Sequence, residues 1–149
     1  MAISKILNMK DCGGHFHGKH LKRALDYVMN PDKTQDGRLV DAINCQVDTA
    51  FEQMKETKRN FGKIDKRQGY HIILSFKENE VNPDTAFEIT QKFVEEYLGK
   101  SYEAVFVVHD NTAHVHSHIV FNSVSFVDGK KYRYEKGDWA KYIQPITNR

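Results

Sequence analysis

The chain has 149 residues, with 22 Lys and Arg against 20 Asp and Glu, eight His and two Cys, for a formal net charge of +2. That is one domain of ordinary size, long enough to bury a core, and the charge is too even to demand a nucleic-acid or membrane partner by itself. Cys12 and Cys45 have no Cys-x-x-Cys spacing, which excludes a disulfide framework and reads as two reduced thiols. The opening Met-Ala-Ile-Ser-Lys lacks the layout of a signal peptide and no apolar run is long enough to cross a bilayer, so a cytoplasmic chain without membrane insertion is expected.

Ala2–Leu7 reads as a short strand, and Asp11–Gly18, punctuated by Gly13, Gly14 and Gly18, as a loop. Lys19–Met29 has Leu21, Ala24, Leu25 and Val28 at helical spacing, and Asn30-Pro31 ends it. A polar loop over Pro31–Asp41 and a short strand over Ala42–Gln46 precede a helix capped by Asp48 and running to about Asn60, with Phe51 and Met54 facing inward. Gly69–Phe76 is a clear strand. Asn82-Pro83-Asp84 supplies a cap, a proline at the first helical position and an early acid, starting a helix that runs to about Leu98 and is closed by Gly99. Two strands around residues 104–121 form a hairpin, a further strand is expected at Lys131–Tyr134, and a helix near Gly137-Asp138. The order predicts an α+β domain built on a central, mainly antiparallel sheet flanked by helices. One domain over residues 1–149 is expected, and the absence of a capping signal at Thr-Asn-Arg149 suggests the first part of a longer protein. Lys55, Lys58, Arg59, Lys63, Lys66 and Arg67 form one basic run and Lys130, Lys131, Arg133 and Lys136 another. Each could track phosphates, although a solvated helix face or loop is the commoner meaning of such a run.

The chemistry concentrates in His109-Asp-Asn-Thr-Ala-His114-Val-His116-Ser-His118, followed by Ile119-Val-Phe-Asn122. Side chains alternate across a strand, so His114, His116 and His118 should project from one face. A four-residue loop over Asp110–Ala113 would set His109 opposite His114 and bring it to the same face. Imidazole is the commonest protein metal ligand, and three such ligands with an open position describe a catalytic site. A run of histidines can also be an adventitious metal-binding tract, but strong strand formers flank this one on both sides. His15-Phe16-His17, with His20 beyond, offers a competing pair, yet it lies in a glycine-bounded loop that would hold ligands poorly; these histidines read as surface or DNA-facing. His71 and Ser75 share a strand face with Ile73. His71 alone reads as a partly buried histidine bonded to the backbone, and Ser75 as an ordinary strand serine. Tyr27 lies a quarter to a third of a turn off the apolar stripe of its helix, so its hydroxyl should reach the edge of the core. A phenol is a weak nucleophile at neutral pH unless a cation or polarised phosphate is at hand, and spacing alone does not single this tyrosine out.

Three stretches carry a family resemblance. Ala24-Leu-Asp-Tyr27-Val-Met-Asn-Pro-Asp-Lys33-Thr34 resembles the first motif of conjugative relaxases, Tyr70-His-Ile-Ile-Leu-Ser75-Phe the second, and His109 through Asn122 the third. These mobilisation nucleases, the P-type MOB clade, belong to the HUH endonuclease superfamily. The likeness runs from about Lys19 to the end, and Phe126–Trp139 is similar to relaxases of Gram-positive integrative elements. The resemblance implies an HUH-like fold and a site-specific, metal-dependent nickase and strand transferase for single-stranded DNA. Tyr27 would be the nucleophile, forming a 5′-phosphotyrosine at a transfer origin to start conjugative mobilisation. His109, His116 and His118 would hold one divalent ion, Mg or Mn by family habit, although imidazoles suit Mn, Zn, Ni or Co better than Mg. Ser75, Asn122, Asn111, His114 and Lys33 would hold DNA or support the ligands. An accessory relaxosome protein and a coupling protein are the implied partners, and no small-molecule substrate is. Two positions depart from the family pattern. Asn111 stands where an acid is usual, with Asp110 beside it, and Ser117 replaces an apolar residue within the His pair, where it should face away from the ligands. Two other classes remain open at this point: a metal-dependent hydrolase without a covalent intermediate, and a non-enzymatic DNA-binding module with a metal site.

Overall fold

The computed structural model describes residues 3–8, 19–64, 67–78, 80–111 and 114–133. The expectations for residues 9–18, including His15 and His17, and for the stretch from Tyr134 onward lie outside the described residues, as does Lys66. Five strands form one sheet: β1 (Ile3–Asn8), β2 (Val40–Ile43), β3 (Gly69–Ser75), β4 (Ala104–His109) and β5 (His116–Asn122), in the spatial order β1-β3-β5-β4-β2. Every neighbouring pair is antiparallel, so the expected α+β class and sheet type are observed. Helices α1 (Lys19–Val28) and α2 (Ala50–Asn60) cover one face and α3 (Pro83–Tyr97) the other.

Period-two burial explains the layering. Along β3, Ile72 and Leu74 are buried against α3 with Phe106, Ile119 and Phe121, while His71, Ile73 and Ser75 point to the opposite face and are half-buried. On that second face Val105, Val107 and Val120 pack against Leu21, Leu25 and Val28 of α1 and Met54 of α2. The α1 residues recur at i, i+4 and i+7 and are at most 1% exposed; each contributes about 1.5–3 kcal/mol by burial. Tyr27 stands beside this stripe, 53% exposed.

Several element ends differ from the sequence reading, for local reasons. The helix expected from an Asp48 cap begins at Ala50, because Val47–Thr49 form a 3-10 turn and no side chain caps α2. The second strand falls at Val40–Ile43 rather than Ala42–Gln46: Asn44 turns the chain with φ 63° and its amide donates to the Gly99 and Tyr102 carbonyls. A full strand at residue 131 is replaced by one bridge between Val124 and Lys131. The α3 start is as read, with Asn82 Oδ1 accepting from the Thr85 amide at 2.8 Å. The basic run on α2 is not uniformly solvated, since Lys58 is fully buried. Among the described residues no helix is long and apolar enough to cross a membrane.

Candidate active site

The site forms where β4 ends and β5 begins, beyond the reach of α1's apolar stripe. The hairpin register pairs His109 with His116, and Val107 with His118. The connecting loop is therefore six residues, 110–115, rather than four. This corrects the expected pairing of His109 with His114: His114 falls in the loop and is exposed, while His109, His116 and His118 share one face of the sheet. Ser117 faces away, as expected, and meets Thr90 Oγ1 of α3 at 2.5 Å.

Each histidine is held differently. His109 is buried at the C-terminal end of α1, and its Nε2 donates to the Val28 carbonyl at 2.8 Å. That bond fills one of the carbonyls a helix leaves unpaired at its end and leaves Nδ1 of His109 uncommitted. His118 is 8% exposed; its ring lies 4.2 Å from that of His109 and 6.5 Å from that of His116, centre to centre. Its Nδ1 is 2.8 Å from Nε2 of His71. Burial pulls the His118 imidazole down to about 3, with His109, His71, His116 and Lys33 acting in the same direction. Burial likewise pulls His71 down to about 4, helped by His109. His109 is also lowered, mainly by burial and against its bond to Val28. All three shifts favour the uncharged ring, the form in which imidazole binds metals.

Tyr27 presents its ring edge-on to two of the histidines, 6.0 Å from His109 and 6.3 Å from His118. The turn after α1 brings in the cation. Asn30 Oδ1 accepts from the Asp32 amide, Pro31 opens a 3-10 turn, and Lys33 Nζ ends 3.9 Å from the centre of the Tyr27 ring, within cation–π range. The turn is tied to the hairpin, since the Asp110 amide donates to the Lys33 carbonyl at 3.2 Å and the Gln35 amide donates to the Asp110 carboxylate. Asp110 is thus engaged with the α1–β2 turn.

Tyr27, Lys33, His109, Asn111, His116 and His118 together line an open cleft of about 250 Å³. The structure therefore gathers most of the residues singled out from the sequence. Ser75 is a near neighbour, paired with His116 across β3 and β5. Asn122 is not: it sits at the other end of β5, fully buried, and bonds Lys58, Glu103 and the Met54 carbonyl. His20 lies on α1, half-buried, and is not among the cleft residues. His71 is half-buried, as read, but the partner of its ring is His118 rather than the backbone.

As placed, no three His, Cys, Asp or Glu side chains among the described residues stand close enough to grip one ion. The donor set nevertheless fits a divalent cation by type and by face. Cross-strand partners such as His109 and His116 have Cβ atoms about 5 Å apart, and residues two apart on a strand are spaced by about 6.6 Å, so a common point is within reach of three imidazoles. His116 is only half-buried.

Comparison with known proteins agrees with the fold. A family model described as "Relaxase: MobA/VirD2-like, nuclease domain" matches residues 27–149. Two proteins named "Protein rlx" from Staphylococcus aureus are 33% identical over 118 residues and 32% identical over 136 residues, covering 79% and 91% of this chain but 34% and 38% of their own length. The "Group II intron-interrupted relaxase LtrB" of Lactococcus lactis subsp. cremoris is 28% identical over 146 residues, covering 80% of this chain and 25% of its own. The chain thus spans little more than a third of these relatives at most. A solved structure reported as "Molecular Basis of Vancomycin Resistance Transfer in Staphylococcus aureus" shares the fold, with a TM-score of 0.55 at 12% identity over 99% of this chain and 85% of that one. With the family model matching from the cleft tyrosine to the last residue, the chain belongs to the MobA/VirD2-like relaxase nuclease domain family.

Proposed function

We propose that this domain is the nicking module of a relaxase, cutting single-stranded DNA at a transfer origin to start conjugative mobilisation. The observation that carries the reading is the convergence of one solvent-accessible phenol, one lysine and three same-face histidines on a single open cleft. Family membership supports the reaction class, and the names of the relatives support a relaxase.

In this reading the Tyr27 oxygen attacks the scissile phosphorus in line, giving its proton to solvent across the open cleft. The bond from phosphorus to the 3′ oxygen breaks, the 3′-hydroxyl leaves with a proton, and the 5′-phosphate stays esterified to Tyr27. One phosphodiester replaces another, so the step is reversible and suits strand rejoining. Lys33, already over the Tyr27 ring, lies where it can pair with the phosphate as charge develops. His109, His116 and His118 would hold a divalent ion, with Mg or Mn expected for the family. That ion would draw charge from the non-bridging phosphate oxygens. Asn111, His114 and Ser75 would contact the strand around the nick, and an accessory protein and a coupling protein would complete the assembly.

The test uses His116, which is half-buried and therefore replaceable without a large packing cost. His116→Ala is expected to weaken Mn²⁺ binding at least about tenfold and to slow cleavage of a single-stranded oligonucleotide carrying the transfer-origin sequence, with the melting temperature unchanged. Wild-type Mn²⁺ affinity and cleavage in this variant would remove the histidine site from the mechanism.

A further inference from the structure

His71 lies on β3, opposite Val120 and diagonal to His118 on β5. Its Nε2 stands 2.8 Å from His118 Nδ1, with ring centres 5.0 Å apart. A neutral imidazole carries one proton, and its two nitrogens point to opposite sides of the ring. The bond to His71 therefore engages the side of His118 that faces along the sheet, and Nε2 is directed away from His71. If His118 is the donor, its Nε2 keeps a lone pair; if His71 is the donor, His118 Nε2 carries the proton and cannot bind an ion in the neutral form.

We infer that His71 is a positioning residue that fixes the tautomer of His118: His71 Nε2 accepts the Nδ1–H of His118, leaving His118 Nε2 as a free lone pair. This inference rests on the proposed ion site only for its consequence, since the tautomer itself exists without metal. It gives a reason for a fourth histidine beside the ligand set on the same face. Ligand histidines are held by a partner on their other nitrogen, and among the described residues His71 takes that place on His118 rather than a carboxylate or backbone carbonyl. His109 uses the complementary arrangement, with Nε2–H on the Val28 carbonyl and Nδ1 left over. The two neighbouring rings, tilted by 38°, would thus offer opposite nitrogens.

Two measurements on the whole domain test it. Long-range ¹H–¹⁵N correlation spectra of the metal-free wild type should show His118 in the Nδ1–H tautomer, and His71→Leu should move it toward the commoner Nε2–H form. An Nε2–H His118 in the wild type overturns the inference, and this arm stands even if the leucine variant folds poorly. Calorimetric titration with Mn²⁺ should show His71→Leu weakened about 10–100-fold, with His71→Gln, whose amide oxygen can accept the same hydrogen bond, restored to within about threefold of wild type by the same logic. Wild-type Mn²⁺ affinity in a folded His71→Leu protein also overturns it. Should His116→Ala leave Mn²⁺ binding intact, the ion site itself is refuted, and the tautomer of His118 decides the role of His71 separately.

Discussion

Tyr27→Phe is expected to reduce cleavage of single-stranded transfer-origin DNA by at least about a thousandfold, equivalent to about 4 kcal/mol of lost transition-state stabilisation. The substitution removes only the oxygen proposed to form the covalent bond. The ring stays, and with it the edge contacts to His109 and His118 and the seat of Lys33. Tyr27 is half-exposed, so loss of its hydroxyl strands no buried partner and the melting temperature should not move. DNA affinity should hold within about threefold, because most of it comes from contacts to phosphates. Tyr97→Phe is the control: Tyr97 packs on the opposite face and its hydroxyl meets that of Tyr132 at 2.6 Å, so cleavage should be near wild type. If Tyr27→Phe cleaves normally, the ion activates water or another nucleophile, and the domain is a hydrolase of a different kind.

Asn122→Ala should have the largest effect on stability, about 3–5 kcal/mol, because it leaves buried charged groups short of partners. Asn122 is 0% exposed. Its amide donates to the Met54 carbonyl and to Glu103 Oε1, each at 3.0 Å, and its oxygen accepts from Lys58 Nζ at 2.7 Å. Lys58 is itself fully buried, and its other bond is to the Gln68 carbonyl at 3.1 Å. Burial draws the Lys58 ammonium down to about 7 against the pull of Glu103, and burial raises Glu103 in turn. Asn122 thus joins an amine and a carboxyl that would otherwise face each other across an unfilled gap. Urea unfolding measures the loss directly. The folded fraction should still cleave DNA at the wild-type rate, since six residues of strand, about 20 Å, separate Asn122 from His116. A stable Asn122→Ala protein with impaired cleavage would favour the DNA-holding role implied by the family motif and contradict the structural one.

The fold was legible wherever a short-range signal existed. The Asn82-Pro83-Asp84 start, the alternation along β3 and the stripe of α1 each depend on neighbours within a few residues, and each is found as read. The site was legible in part because strand periodicity places His116 and His118 on one face without knowledge of the rest. The register of the hairpin was not legible, since it depends on how residues 110–115 turn, and that turn is tied to Lys33 and Gln35, more than seventy positions away. Lys58 was hidden for a similar reason. It sits in a basic run that reads as solvated, and only the packing of β5 against α2 brings Asn122 to it. His71 could have been found from its position: it shares a face with the ligand set, and its cross-strand partner Val120 lies two residues along β5 from His118. Sequence spacing did not single out Tyr27, and it could not show that the chain after α1 folds Lys33 back over its ring.

The most direct measurement is the identity of the residue that becomes bonded to DNA. The domain would be incubated with Mn²⁺ and a single-stranded oligonucleotide spanning the nick site, denatured, digested with protease and analysed by mass spectrometry. A single nucleotide-bearing peptide containing Tyr27, joined through a 5′-phosphate and lost when the metal is chelated, is the expected result. A 5′-phosphate adduct on any other side chain, or efficient cleavage with no protein-bound DNA, would contradict it.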